Sequence, residues 1–256
     1  MFESFSEFLY KGFVGRYLEI NPASSQTLLV IIMILCYLLS MIVPYLLGSI
    51  NTAILVSKHK YGDDIRNHGS GNAGLTNVLR TYGKKAALIT LAGDTLKALV
   101  SVAFGYLFMG YQTAYIAALF CMLGHMFPCY YRFKGGKGVL VSAASLLLLD
   151  PITLAIELVI FIILVAGTKF VSLGSIMAAL LMPLILNRIA NMTGNVAVAL
   201  GLPAIISIIM AVLVVFMHRK NIKRLLNGTE NKISFKKKAE SSDGSESPEE
   251  GNNDDK

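Results

Sequence analysis

Several apolar runs in this chain are longer than the core of a water-soluble domain requires. The clearest are residues 28–39, 86–109 and 202–217. A helix needs about 20 such residues to cross roughly 30 Å of hydrocarbon. Hydrophobic residues make up 54% of the 256-residue chain and charged residues 15%, whereas an average globular protein has roughly 25% charged residues. This composition excludes an ordinary soluble enzyme and predicts an all-α integral membrane protein.

The apolar segments predict a bundle of about seven transmembrane helices. We expect spans near residues 27–56, 84–109, 112–128, 138–149, 151–168, 171–187 and 196–217. Asp150 and Pro151 join the fourth and fifth segments, and they fit either a tight turn outside the membrane or a kink in one longer helix. The loop charges favour the turn, because seven spans place most of the lysines and arginines on one side.

The distribution of positive charge predicts the orientation of the chain. With the N-terminus outside, the outer loops keep only Lys11, Arg16 and Arg188. The cytoplasmic side then holds Lys58, Lys60, Arg66, Arg80, Lys84, Lys85, Arg132, Lys134, Lys137, Lys169 and the basic segment 219–238. Cytoplasmic loops of membrane proteins carry an excess of Lys and Arg. We therefore expect the N-terminus outside and the C-terminus in the cytoplasm.

The predicted membrane domain, residues 27–218, is flanked by segments of different composition. Residues 1–26 form a leader of mixed charge, expected to lie outside, without a signal-peptide cleavage pattern. Residues 219–238 form a basic cytoplasmic segment next to the membrane, and residues 239–256 form an acidic tail whose composition predicts disorder. The three cysteines lack CxxC spacing, so neither a disulfide framework nor a metal site is predicted.

The formal net charge of +7 lies beside the apolar runs and not in one stripe. This placement favours membrane orientation and phosphate-bearing ligands over nucleic acid. Three polar segments, all on the predicted cytoplasmic face, contain the candidate ligand-binding residues. The first, residues 64–85, has glycines that permit close backbone approach to an anion and a predicted short helix at 76–82. It predicts a phosphate cradle, although a flexible polar loop is the alternative and no GxxxxGK[ST] pattern is present.

The second polar segment contains the sequence KGGKG at residues 134–138, directly before the fourth predicted span. Two lysines then flank backbone amides at a helix N-terminus, which predicts an anion site. A snorkelling basic cluster is the alternative. His125, at the end of the third predicted span, is expected to be a hydrogen-bonded structural group.

The third polar segment, residues 218–232, follows the last predicted span. Its basic residues fit binding to anionic lipid headgroups, but His218 and Asn221 are three residues apart and would share one side of a helix. Inside the second span, Asp94 and Lys97 have the same spacing. Ionisable groups at that depth pair with each other or face a functional site.

Together these motifs resemble those of the bacterial acyl-phosphate:glycerol-3-phosphate acyltransferases. The matching segments are GSINTA at 48–53, SGNAGLTNVLR at 70–80, GHMFPCYYRFKGGKGV at 124–139 and HRKNIKRLLNGTENK at 218–232. The resemblance covers roughly residues 40–233 and implies a seven-helix membrane enzyme of the bacterial plasma membrane. Its substrates would be a fatty acyl phosphate and sn-glycerol 3-phosphate, and its products lysophosphatidic acid and phosphate. The leader and the acidic tail depart from the family pattern.

The resemblance also implies roles for individual residues. The phosphate-binding group would comprise Ser70, Gly71, Asn72, Arg80, Gly135, Gly136 and Lys137. The residues that position the acyl phosphate or the attacking hydroxyl would be Thr76, His218 and Asn221, with Asn72 beside them. No GxSxG pattern is present, so the hydroxyl is expected to attack the donor directly, without a metal or cofactor. Either His218 or a phosphate oxygen of the substrate would take the proton.

The implied partners are the two substrates, membrane lipid and, functionally, an enzyme that makes acyl phosphate. Two other classes of protein fit part of the pattern. A transporter for an anionic metabolite explains the spans and basic loops, but it would normally bind its substrate near the middle of the bilayer. A structural lipid-binding protein would bind headgroups without turnover.

Overall fold

The computed structural model describes residues 5–21 and 26–233 of the chain. Within these ranges the regular structure is entirely helical, which confirms the all-α prediction. The helices are α1 Phe5–Ile20, α2 Gln26–Ser49, α3 Thr52–Tyr61, α4 Leu75–Met109, α5 Tyr111–Met126, α6 Val139–Leu149, α7 Pro151–Thr168, α8 Val171–Met192, α9 Val196–Ala199, α10 Leu202–Met217 and α11 Arg219–Leu226. The predicted acidic tail lies outside the described residues.

The helices bear out a multi-pass membrane protein. Five segments of the described chain are long and apolar enough to cross a membrane, at residues 26–61, 75–109, 111–131, 151–168 and 171–192. The helices α10 and α11 pass the same test as one pair bent by 57°. Helix α6 is apolar but has only 11 residues. The count of seven, which includes α6 and α10, stays a prediction, as does the orientation.

Two predicted spans are interrupted. The first breaks after Ser49, where Asn51 ends the apolar run by capping α3: its side-chain oxygen accepts the amide N–H of Ile54 at 3.1 Å. The last predicted span breaks between α9 and α10, because Pro203 lies in the first turn of α10 and has no N–H to continue an incoming helix. The predicted short helix at 76–82 is the first part of α4, which bends at Gly83.

The bundle is centred on α5, against which α2, α4 and α10 pack. The crossing of α2 and α5 is close: a Cβ at Gly48 would overlap the carbonyl of Cys121, and a Cβ at Gly124 would overlap the carbonyl of Tyr45. Such small residues let membrane helices approach each other closely. Helix α8 packs between α7 and α10, and α1 packs against α4.

Helix α6 is short because the glycine-rich segment before it is not helical. Eleven residues rise only about 16 Å, roughly half the thickness of a bilayer core. Irregular backbone at such a depth needs hydrogen bonds within the protein. The Tyr45 hydroxyl supplies one by donating to the Phe127 carbonyl at 2.8 Å. The fold therefore carries the second polar segment into the bundle.

Candidate active site

One cavity of about 380 Å³ brings the three polar segments together. Its polar mouth lies between the start of α4, the segment before α6, and the junction of α10 and α11, and its apolar arm continues between α6, α7 and α8. The predicted residues that line it are Ser70, Asn72, Thr76, Arg80, Lys137, His218 and Asn221. The predicted residues that do not line it are Gly71, Gly135 and Gly136.

The side chain of Asn77 holds the first polar loop in shape. Asn77 is only 1% exposed. Its amide nitrogen lies within hydrogen-bonding distance of the carbonyls of Ile65, His68 and Asn72, at 3.2, 2.9 and 3.1 Å. Its oxygen accepts the backbone N–H of Ser70 at 3.0 Å. One buried side chain at the start of α4 thus fixes the whole glycine-rich turn.

The backbone of this turn does not offer the free donor expected at Gly71. Gly71 has a left-handed φ of 70°, and its N–H donates to the His68 carbonyl at 2.9 Å. The expectation that this amide is available to an anion is therefore wrong for this structure, because the turn itself uses it. The loop presents side chains to the cavity, those of Ser70, Asn72, Thr76 and Arg80.

The same correction applies to the second polar segment. The N–H of Gly135 donates to the Met126 carbonyl at 3.1 Å, and that of Gly136 donates to the His125 carbonyl at 3.0 Å. A Cβ at Gly136 would overlap the ring of His125. Both glycines therefore serve close packing, and neither amide is free for an anion as predicted. Lys137 is the residue of this segment that enters the cavity.

Lys137 begins a chain of hydrogen bonds that joins the second and third polar segments. Its Nζ donates to Oδ1 of Asn221 at 2.5 Å. The Nδ2 of Asn221 donates to Oε1 of Glu230 at 2.7 Å, and the Ser172 hydroxyl donates to the same oxygen at 2.8 Å. Arg224 Nε donates to the other carboxylate oxygen at 2.7 Å. The side-chain amide of Asn221 is therefore oriented with its oxygen toward the ammonium group of Lys137 and its nitrogen toward the carboxylate of Glu230.

The charges at the mouth are tuned by their surroundings. Burial lowers the pKa of Lys137 to about 8, and the nearby cations Arg224 and Arg80 add to this effect while Glu230 opposes it. Lys137 is thus largely protonated at pH 7 and loses its charge above about pH 8. Burial opposes ionisation of Glu230, but hydrogen bonds from Asn221, Arg224 and Ser172 outweigh it and lower the pKa of Glu230.

His218 is buried between α10 and α11 and is neutral at pH 7. Burial and the nearby charge of Lys137 lower its pKa to about 4. Its Nδ1 lies 2.8 Å from the Val214 carbonyl. A carbonyl only accepts hydrogen bonds, so Nδ1 carries the proton and Nε2 is left as an acceptor. The residue can therefore accept a hydrogen bond from a hydroxyl in the cavity.

Residues 229–233 cross the mouth of the cavity beside Arg80. The N–H of Ile233 donates to the Lys169 carbonyl at 2.9 Å. Arg80 Nη2 donates to the Asn231 carbonyl at 3.4 Å, a long hydrogen bond on an exposed side chain. The guanidinium is therefore held near the mouth and remains able to bind an anion with its other donors.

A buried ion pair lies below the polar mouth. Lys97 Nζ is 2.8 Å from Oδ1 of Asp94, and it donates to the carbonyls of Gly48 at 3.1 Å and Ile50 at 2.8 Å. Nδ1 of His125 is 3.0 Å from the same ammonium. Asp94 and Lys97 thus pair with each other, and His125 contacts the same ammonium group. Asp94 and His125 also line the cavity, so the structural role of His125 stays a prediction.

Several residues that line the cavity were not counted among the site residues in the sequence analysis. Ser172, Arg224 and Glu230 line the mouth, and Glu157 lines the apolar arm. Glu157 had a readable signal, since it is the only charged residue within α7. Ser172, Arg224 and Glu230 gave no such signal in the sequence, because serine, arginine and glutamate are ordinary residues in polar segments next to a membrane.

The cavity can bind an amphipathic ligand that carries an anionic group. Cations from all three polar segments surround its mouth, neutral hydrogen-bonding side chains lie beside them, and the arm is mostly apolar. Residues 27–228 match the family described as "Glycerol-3-phosphate acyltransferase". The glycerol-3-phosphate acyltransferase of Clostridioides difficile (strain 630) is 41% identical over 210 residues, which are 80% of this chain and 98% of that protein. That of Thermoanaerobacter sp. (strain X514) is 42% identical over 198 residues, 77% and 96% of the two chains.

Two solved structures have the same fold. A crystal structure of PlsY (YgiH), an integral membrane glycerol 3-phosphate acyltransferase, in its glycerol 3-phosphate form has a TM-score of 0.70 and 32% identity. It matches 77% of this chain and 96% of its own. The lysophosphatidic acid form has a TM-score of 0.66 and 30% identity, over 77% and 95% of the two chains.

The role of Asn77 yields a prediction. Replacing it with alanine leaves buried carbonyls and one N–H of the turn without partners, which typically costs about 1–3 kcal/mol. Asn77→Ala should lower the melting temperature in detergent and make residues 65–74 the first site of limited proteolysis. Asn67→Ala, at an exposed position of the same loop, should change neither. Equal behaviour of the two variants would contradict the role assigned to Asn77.

Proposed function

Because the chain belongs to the glycerol-3-phosphate acyltransferase family, we propose that it acylates sn-glycerol 3-phosphate to lysophosphatidic acid with a fatty acyl phosphate as donor. The observation that supports this proposal most strongly is the single cavity in which a cationic mouth continues into an apolar arm. Both substrates carry a phosphate, and the donor also carries a hydrocarbon chain. The two parts of the cavity match these two chemical demands.

In this proposal Arg80 and Lys137 bind phosphate in different ways. Arg80 presents a planar fork that can bind two phosphate oxygens at once, and Lys137 acts as a point charge. The two residues come from different segments and line the same cavity. Ser70 and Thr76 add hydroxyl groups beside them. Asn221 would release Lys137 in part when a phosphate, a stronger acceptor, arrives.

The acyl transfer needs no covalent enzyme intermediate. The hydroxyl oxygen of glycerol 3-phosphate attacks the carbonyl carbon of the acyl phosphate, the new ester bond forms, and the bond from that carbon to the phosphate oxygen breaks. With a pKa near 4, His218 is too weak a base to keep the proton, since an effective base has a pKa near the working pH. We assign it the task of orienting the hydroxyl through Nε2. The proton leaves with the inorganic phosphate.

The site is proposed to face the cytoplasm of a bacterial cell, with the protein in the plasma membrane. The support for this orientation is the excess of Lys and Arg in the segments around the cavity mouth. An acyl phosphate is a reactive anhydride, so the protein would depend on an enzyme that makes it nearby. Water-soluble glycerol 3-phosphate would enter from the same side.

The activity can be tested with purified protein in detergent. We expect palmitoyl phosphate and labelled glycerol 3-phosphate to give labelled lysophosphatidic acid and free phosphate. Palmitoyl-CoA should give no product, because the polar mouth already has to hold two phosphates and the apolar arm offers no site for an adenine nucleotide. A transporter or a lipid-binding protein would release no phosphate in this assay. Equal rates with the two donors would refute the choice of donor.

The phosphate-binding roles predict a specific mutational pattern. Arg80→Lys keeps the charge but loses the fork, and Lys137→Ala removes a charge. Loss of a charged partner from a bound anion typically costs about 2–5 kcal/mol, so kcat/KM for glycerol 3-phosphate should fall roughly thirty-fold or more in each. Lys84→Ala, at an exposed position of the same face, should stay near the parent value. If all three variants stay within a factor of about three, the cations only follow membrane topology.

The orientation predicts which positions are accessible from outside the cell. In a variant whose three cysteines are replaced by alanine, single cysteines at Lys84 and Gly228 should resist an impermeant thiol reagent in intact cells. A cysteine at Thr193, after α8, should react. Permeabilised cells provide the control, since all three positions are exposed in the structure. Labelling of Lys84→Cys or Gly228→Cys in intact cells would contradict the proposed topology.

A further inference from the structure

Helix α7 is apolar except on the face that it turns toward the bundle. Only two of its residues are buried, Thr153 and Glu157, which lie one helical turn apart. Most of its other side chains are aliphatic. A carboxyl group within a membrane-spanning helix is costly and usually faces a functional site. The only charged group of this helix therefore requires an explanation that packing does not provide.

The carboxyl group of Glu157 lies in the wall of the cavity, away from any ion pair formed by the described residues. The residue is 7% exposed, and it lines the apolar arm. Within the described residues, its Oε1 atom is buried without a hydrogen bond. Asp94 and Glu230 differ, because Lys97 and Arg224 neutralise them. Glu157 is thus not part of the ionic network that holds the fold together.

Glu157 lies near the far end of the apolar arm, about one helical turn before Leu154, which also lines the cavity. Helices α7 and α8 run antiparallel and join through Lys169 and Phe170. Eleven residues separate Glu157 from the end of α7, and eleven separate Met182 from the start of α8, so both lie about 16 Å from the joining turn. Both line the cavity, whereas the start of α8 lies at the mouth, where Ser172 contacts Glu230. A chain that follows the arm from the mouth therefore passes Glu157 and Met182 close to the end of the arm.

We propose that Glu157 is a specificity-determining residue that limits the length of the acyl chain. This inference rests on the proposed function, in which the arm holds the hydrocarbon of the donor. Methylene groups packed against a carboxyl group displace its remaining water and offer no hydrogen bond in return. A chain that ends before Glu157 avoids this penalty, and a longer chain does not. Donors of intermediate length are therefore preferred over longer ones.

The test compares acyl phosphates of increasing length with the purified protein in detergent. Lauroyl, myristoyl, palmitoyl and stearoyl phosphate are assayed for kcat/KM with glycerol 3-phosphate fixed. Glu157→Leu keeps a similar volume and removes the polar group, so it should raise the ratio of stearoyl to lauroyl kcat/KM about tenfold. Glu157→Gln keeps a polar group and should leave the ratio within about twofold of the parent. Val159→Leu, at a 56% exposed position of the same helix, should not change it.

The outcomes separate this inference from the function on which it rests. If the parent protein makes no lysophosphatidic acid from any acyl phosphate, the proposed function fails. If it does, but Glu157→Leu changes all four donors by the same factor, the inference is overturned and the chain leaves the arm before reaching Glu157. Met182→Phe provides a second test from α8. It fills the same end of the arm and should lower the stearoyl to lauroyl ratio, and an unchanged ratio would also overturn the inference.

Discussion

The ammonium group of Lys97 is the interaction on which the rest of this structure depends. It binds the carbonyl of Gly48 near the end of α2 and that of Ile50 just after it, together with Asp94 of α4 and His125 of α5. A helix that breaks inside a membrane protein leaves carbonyl groups without partners, and each costs several kcal/mol in hydrocarbon. The buried ammonium group donates hydrogen bonds to these carbonyls and connects α2, α4 and α5 at the same point.

A series of contacts connects this buried pair to the candidate active site. The ring of His125 packs against Gly136, so the buried pair supports the segment that carries Lys137 into the cavity. Lys137 then contacts Asn221, and Asn221 contacts Glu230. Segments more than eighty residues apart in the chain are joined by the hydrogen bond between Lys137 and Asn221. The cations are thus in place before a substrate arrives, which is the arrangement that electrostatic catalysis requires.

The sequence predicted the membrane fold, and seven of its ten candidate site residues line the cavity, because polar residues stand out in an apolar chain. The predictions from sequence were wrong where contacts formed only in the folded protein determine which groups are free. The amides of Gly71, Gly135 and Gly136 looked free, but their acceptors come from the turn itself and from the end of α5. The break after Ser49 depends on Asn51 and on a cation forty-six residues later, Lys97. Glu157 was visible as a lone charge, but its lack of a partner is a property of the packed bundle.

The central claim is that one phosphate is held between Arg80 of α4 and Lys137 of the segment before α6. A crystal structure of this protein with glycerol 3-phosphate bound tests it most directly. The account predicts phosphate oxygens about 2.7–3.2 Å from Lys137 Nζ and from the guanidinium of Arg80, with a glycerol hydroxyl near Nε2 of His218. A phosphate bound only to basic residues on the outer face of α11, away from both Arg80 and Lys137, would contradict the account.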